Sequence, residues 1–250
     1  MGKKRNIIVG QSGGPTSVIN SSLAGVYKTA RERGFHKVYG MLHGVQGFLD
    51  EQYVDLSTQI HSDMDIELLK RTPSAFLGSC RYKLPEIHEN PDIYEKIFSI
   101  LDKLEIEAFI YIGGNDSMDT IKKLSDYAII KGHSQKFLGV PKTIDNDLAL
   151  TDHTPGFGSA AKYIAASTKE VIRDALGLTY NKESITVIEI MGRNAGWLTG
   201  ATALAKTEEC DRPALIYLPE GELDLEKFLM KVQERLKKKH RADEMREIVE

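Results

Sequence analysis

Cysteine, tryptophan and unbalanced charge are all scarce in this chain of 250 residues. The two cysteines, Cys80 and Cys210, lie far apart and in no CxxC spacing, which excludes a disulfide framework and a thiolate zinc site. Seven histidines show no i, i+4 or other metal-ligand spacing, so a histidine metal centre is not indicated either. Thirty-three Lys plus Arg against 36 Asp plus Glu leave a net charge of −3, which gives no general attraction to nucleic acid. Any phosphate chemistry must then be local. Long apolar runs are also missing: Ala108–Ile112 is cut off by Gly113-Gly114, far short of the roughly 18 residues that suggest a membrane span. Near the start, Ile7-Ile8-Val9 is too short for a signal-peptide core, and a soluble cytoplasmic protein is expected. The single tryptophan, Trp197, reads as a packing residue.

What is present is 41% hydrophobic and 28% charged, the composition of an ordinary globular chain with one large core or two smaller ones. Short apolar runs alternate with segments of helical period, and each run stops at Gly, Pro, Asn or Asp, which reads as α/β with a parallel sheet. Strands are expected near Ile7–Val9, Lys37–Leu42, Ala108–Ile112, Phe137–Val140, Ile185–Ile190 and Ala214–Leu218. Helices are expected over Ser17–Arg33, Ser117–Ile130, Ser159–Leu176, Ala195–Lys206 and Asp224–Lys239. A change of domain near Pro141 divides the chain into 1–140 and 141–250. The basic run from Lys237 to Arg241 reads as a solvated helix or tail.

Ligands of open parallel sheets bind beyond the carboxyl ends of the strands, so four clusters that follow apolar runs have priority. Gly10-Gln11-Ser12-Gly13-Gly14-Pro15-Thr16 is a phosphate cradle or a plain strand-to-helix turn; it is neither GxGxxG nor a Walker A loop. In Gly113-Gly114-Asn115-Asp116-Ser117, Asp116 or Ser117 either caps the next helix or faces an anion. Pro141-Lys142-Thr143-Ile144-Asp145-Asn146-Asp147 gathers a cation, two carboxylates, a hydroxyl and an amide, the groups that phosphoryl transfer requires. In an extended segment Asp145 and Asp147 would point the same way. Met191-Gly192-Arg193-Asn194-Ala195-Gly196-Trp197 offers Arg193 as a planar grip on a phosphate, or as one half of an ion pair.

The order GGPTSVIN, LGSCR, GGNDS, PKTIDND, TDHTPGFGSA and MGRNAGW resembles the phosphofructokinase family, from about Ile7 to about Glu220. The resemblance implies two Rossmann-like three-layer domains, 1–140 for the phosphoryl donor and 141–250 for the sugar phosphate, with the active site in the cleft between them. It also implies phosphoryl transfer to the 1-hydroxyl of fructose 6-phosphate, a step of glycolysis, with Mg2+ as cofactor and a homo-oligomer, dimer or tetramer, as the assembly. Gly10, Gly14 and Arg81 then look like donor contacts, with Asn115, Asp116 and Ser117 beside them and Asp116 as metal ligand. Asp145 looks like the base, Asp147 its electrostatic partner and Thr143 a transition-state contact, with Lys142 also among the catalytic residues; Met191, Gly192 and Arg193 look like sugar-phosphate binders, and Glu220 like a further substrate or donor contact.

Two positions bear on the donor: ATP-using members resemble GGDGS and PGTIDND, where this chain has Asp116 and Lys142 in place of glycines. A carboxylate at 116 would repel the α-phosphate of ATP, while the ammonium at 142 could pair with pyrophosphate, so the pyrophosphate-dependent type is the closer resemblance. Three features depart from the family: Asn115 stands where many members have a metal-binding aspartate, Ser184 replaces an arginine with Lys182 as a substitute, and the family chain continues beyond residue 250. An ATP-dependent enzyme, or a non-catalytic subunit of a truncated chain, is the alternative expectation.

Overall fold

A run such as Ile7-Ile8-Val9 that shows no polar alternation suits a strand buried on both faces. In the computed structural model, which describes residues 5–178, 184–208 and 210–247 and side chains as far as residue 237, this run lies in β1 (Asn6–Gln11), buried along its whole length. Parallel neighbours flank it on both sides, β2 (Lys37–Met41) and β4 (Ile106–Gly113). Beyond β4 the sheet continues in parallel with β5 (Lys136–Pro141), and beyond β2 it ends in the antiparallel β3 (Tyr53–Asp55), giving the order β3-β2-β1-β4-β5.

Period-two alternation sends neighbouring residues to opposite faces. Ile7 and Val9 join Ile112 in one apolar cluster, which α1 (Ile19–Glu32) covers with Leu23 and Tyr27 and α3 (Asp63–Arg71) with Leu69. Ile8, Phe109 and Tyr111 join the other, under α2 (Gly44–Leu49), α4 (Pro91–Lys103) and α5 (Asn115–Lys131), through Phe48, Phe98 and Tyr127. The four expected strands of this half are all present, and the α/β class is thereby established.

The chain divides into two compact units, the first reaching Ile144 and including Leu148–Gly156, the second made of Asp145–Asp147 and the residues from Phe157 on. The second unit carries α6 (Phe157–Gly177), α7 (Trp197–Ala201) continued by a 3-10 turn, and α8 (Leu225–Glu247). Here the sequence reading is corrected. Ile185–Ile190 and Ala214–Leu218 are not strands: neither belongs to a ladder among the described residues. An apolar β-branched run signals burial in a sheet only where a partner takes its backbone N–H and C=O groups, and Ile185 and Val187 stand exposed instead. The helix expected over Ala195–Lys206 is likewise reduced to α7 and its 3-10 extension. No helix among the described residues is long and apolar enough to cross a membrane.

Candidate active site

Because β1, β4 and β5 run parallel, the turns that follow them leave the same end of the sheet. Hydrogen bonds lock the three together. Ser12 N donates to Ile112 O at 2.9 Å, and the Ser12 and Ser117 hydroxyls form a short bond between the first and second turns. Lys142 N donates to Gly113 O at 2.9 Å, joining the second turn to the third. The buried Lys142 ammonium then reaches back to the first turn, Nζ to Gly14 O at 2.7 Å. A fourth segment joins through Gly13 N to Cys80 O at 3.0 Å and Ser79 Oγ to Gly13 O at 2.5 Å, which brings Arg81 beside the first turn.

Gly10 lies within β1, where a Cβ would come to 2.9 Å from Met41 Sδ and 3.0 Å from the Tyr111 ring, so sheet packing alone demands a glycine there. Gly14, by contrast, is exposed with nothing within 4 Å of a built Cβ. Gly113 is the tightest position: its Cβ would fall 1.9 Å from Ser117 Oγ. Helix α5 is capped by Gly114 with no side-chain bond, so neither Asp116 nor Ser117 is the N-cap. Ser117 is buried against Ser12, while Asn115 and Asp116 are exposed in the first turn, where helix N–H groups favour negative charge. Among the described residues no carboxylate pairs with Arg81, which is exposed. Behind the turns, burial, with Cys80 beside it, pushes the Tyr111 hydroxyl up, and it accepts Val45 N at 3.2 Å.

Thr143 is half-buried and fixed through its backbone, N to Pro155 O at 3.1 Å and O from Thr154 Oγ1 at 2.7 Å. The segment after it is not extended: Asn146 takes φ +55° between the two aspartates, so strand alternation does not aim Asp145 and Asp147 together. Asp145 is half-buried and Asp147 exposed.

Within the second unit, Met191, Gly192 and Arg193 lie on the loop before α7, with Met191 and Arg193 exposed and Gly192 at φ +140°. Glu220 reaches this loop, its Oε1 accepting Gly196 N at 2.7 Å, which puts Glu220 in the role of a loop anchor. Trp197 is 57% exposed and meets Phe157 edge-on, so it packs on one side only. Lys182 lies outside the described residues.

The phosphofructokinase family model matches residues 6–249. This chain belongs to the phosphofructokinase family. The pyrophosphate–fructose 6-phosphate 1-phosphotransferase of Xanthomonas campestris pv. campestris (strain B100) is 43% identical over 229 residues, covering 92% of this chain and 54% of that relative. The sulfofructose kinase of Alkalicoccus urumqiensis is 38% identical over 236 residues, covering 93% and 58%. A crystal structure of the pyrophosphate-dependent phosphofructokinase from Nitrosospira multiformis superposes with a TM-score of 0.84 at 40% identity, over 94% of this chain and 58% of that one. The chain thus spans little more than half the length of the relatives it matches.

Of the residues chosen from the phosphofructokinase motifs, the fold bonds Lys142 directly to Gly14, ties Ser117 to the same turn through Ser12, and sets Arg81, Asn115 and Asp116 around them. Sequence reasoning missed Ser12 and Ser79, whose hydroxyls tie the turns together, and the amides of Gln11 and Asn20 beneath them. A glutamine closing an otherwise apolar strand was the available signal.

Proposed function

We propose that this protein transfers a phosphoryl group from pyrophosphate to the 1-hydroxyl of fructose 6-phosphate, giving fructose 1,6-bisphosphate and phosphate. The observation that carries the reading is the Lys142 ammonium, buried and bonded to Gly14 O in the middle of three interlocked turns. A fixed cation among backbone N–H groups suits a compact, highly charged donor. Asp116, exposed at the start of α5, adds a negative charge that disfavours the longer phosphate chain and nucleoside of ATP.

In this reading Arg81 and the N–H groups of the first turn hold the donor, and Lys142 offsets charge on the phosphoryl group in flight. Asp145 takes the proton of the sugar hydroxyl as its oxygen bonds to phosphorus and the bridging P–O bond breaks, the electron pair leaving with phosphate. Asp147 supports the charge on Asp145, and Thr143 contacts the transferring group. Arg193, with Met191 and Gly192, binds the sugar phosphate, and Glu220 keeps their loop in place. Among the described residues no cluster of three or more His, Cys, Asp or Glu is poised for a metal. The single carboxylate of Asp116, with the Asn115 amide beside it, fits Mg2+, which takes few protein ligands and completes its shell with water and phosphate oxygens. When bound, the ion neutralises donor charge. A homo-oligomer, dimer or tetramer, in the cytoplasm belongs to the same proposal.

The test is a donor exchange. Asp116→Gly with Lys142→Gly should raise activity and binding with ATP and lower both with pyrophosphate, while neither change alone suffices, because the repulsion and the clamp are separate effects. Coupled assays and calorimetry with both donors on all four proteins check this, and an unchanged preference in the double variant would sink it.

A further inference from the structure

Gln11 and Asn20 are 0% and 1% exposed, and the chemistry above uses neither side chain. They bond to each other, Gln11 Nε2 to Asn20 Oδ1 at 2.9 Å, and Gln11 Nε2 also donates to Ile19 O at 3.1 Å. Their remaining bonds all go to one stretch of backbone. Gln11 Oε1 accepts Leu77 N at 2.9 Å, Asn20 Oδ1 accepts Phe76 N at 2.9 Å, and Asn20 Nδ2 donates to Thr72 O and Ser74 O, each at 2.8 Å. That stretch is neither helix nor strand and lies largely at the surface.

An irregular segment has no ladder to satisfy its backbone groups, and here two buried amides supply donors and acceptors in its place. Fully satisfied amides in a low-dielectric site hold their partners stiffly. The consequence runs along the chain. Gly78, at φ +72°, turns the backbone immediately after the gripped stretch, where a Cβ would strike the His43 ring at 2.6 Å. Ser79 and Cys80 then bond to Gly13, and Arg81 follows.

We infer that the Gln11–Asn20 amide pair is a positioning clamp that fixes the segment carrying Arg81 against the phosphate turn and so sets the reach of the Arg81 guanidinium to pyrophosphate. This rests on Arg81 being a donor contact, as proposed above. Neither amide touches the donor, so both are positioning residues.

The test is a double-mutant cycle read by pyrophosphate calorimetry, using Asn20→Ala, Gln11→Met, Arg81→Gln and each clamp variant combined with Arg81→Gln. Each clamp variant alone should weaken pyrophosphate binding about ten-fold, yet by less than about two-fold once Arg81 is gone, because the clamp acts only through it. Hydrogen exchange at the Phe76 and Leu77 amides should quicken while β1 and β4 keep their protection. Additive losses, unchanged affinity, or equal loosening of the whole sheet would overturn the clamp. If the unaltered protein does not bind pyrophosphate, the functional reading falls instead, and exchange alone decides the clamp: unchanged protection of Phe76 in Asn20→Ala overturns it. Should Asn20→Ala fail to fold, Asn20→Ser is put through the same measurements.

Discussion

In the first unit, Ile8 and Phe109 are fully buried beneath helices, whereas in the second Val187 stands 80% exposed and Leu229 52%. Helix α6, 21 residues long, buries only Thr168, although its sequence is as apolar as that of the helices covering the sheet. The contrast teaches that apolar content supplies the material for a core, and a hydrogen-bonded sheet supplies the surface on which that material is laid down. At the centre of the ladder, in β1 and β4, both faces are covered, whereas the edge strand β5 leaves Leu138 48% exposed; where no ladder exists, the same kinds of residue remain in water.

Core truncation gives the largest expected effect. Phe109→Ala should cost about 3–5 kcal/mol, while Val187→Ala should change stability by no more than about 0.5 kcal/mol. Urea denaturation of both variants measures this. A loss at Val187 approaching that at Phe109 would show that the second unit packs this segment in solution, and the contrast between the units would fail.

A paired glycine experiment sharpens the same comparison at the level of single turns. Gly113→Ala forces a Cβ into the Ser12–Ser117 bond and should cost about 1–3 kcal/mol, as other overpacked sites do. Gly200→Ala, within α7 and with nothing within 4 Å, should be neutral or stabilise by up to about 1 kcal/mol. Thermal melts of the two variants should therefore move apart.

Four of the five strands of the first unit were legible: the apolar runs of β1, β4 and β5 end in glycine or proline, and the partners of all four lie within the same unit. Helices α3 and α4 were legible in principle and went unread: Ser62 and Asp65 form a capping box, and Pro91 stands in the first turn of α4. The failed strands at Ile185–Ile190 and Ala214–Leu218 have the right composition, but composition does not say whether a neighbouring strand is present. At the site, the glycine-rich turns and Lys142 were readable from residue type. The bonds from Ser12, Ser79, Gln11 and Asn20 were not, since each depends on a segment more than 50 positions away or on which way a side chain turns inside the sheet.

The smallest predicted effect concerns that capping box. The His61 and Ser62 backbone N–H groups and the Ser62 hydroxyl bond to the Asp65 carboxylate and hold it below its usual range. A carboxylate depressed in the folded state adds stability above the unfolded value near about 3.9, and that stability is lost as pH falls through the lower folded value. Ser62→Ala should cost about 1 kcal/mol at neutral pH. Asp65→Asn should flatten the acid limb of a stability–pH profile, and an identical limb in the variant would refute the assignment.

The bonds that assemble the glycine-rich turns join residues very distant along the chain, 105 positions apart for Ser12 and Ser117 and 128 for Lys142 and Gly14. During synthesis the first turn must therefore wait. β1, made among the first residues, has β2 and α1 for company early, but its other edge stays open until β4 emerges, and the Gly14 carbonyl in the turn after it has no ammonium until residue 142 has been made. Closing so long a loop costs chain entropy that grows only logarithmically, about 0.6 kcal/mol per doubling, so the expense lies less in stability than in time. A nascent chain of this protein therefore keeps an unpaired apolar strand edge exposed until Ile106–Gly113 has been made, and the three turns interlock only once residue 142 has followed.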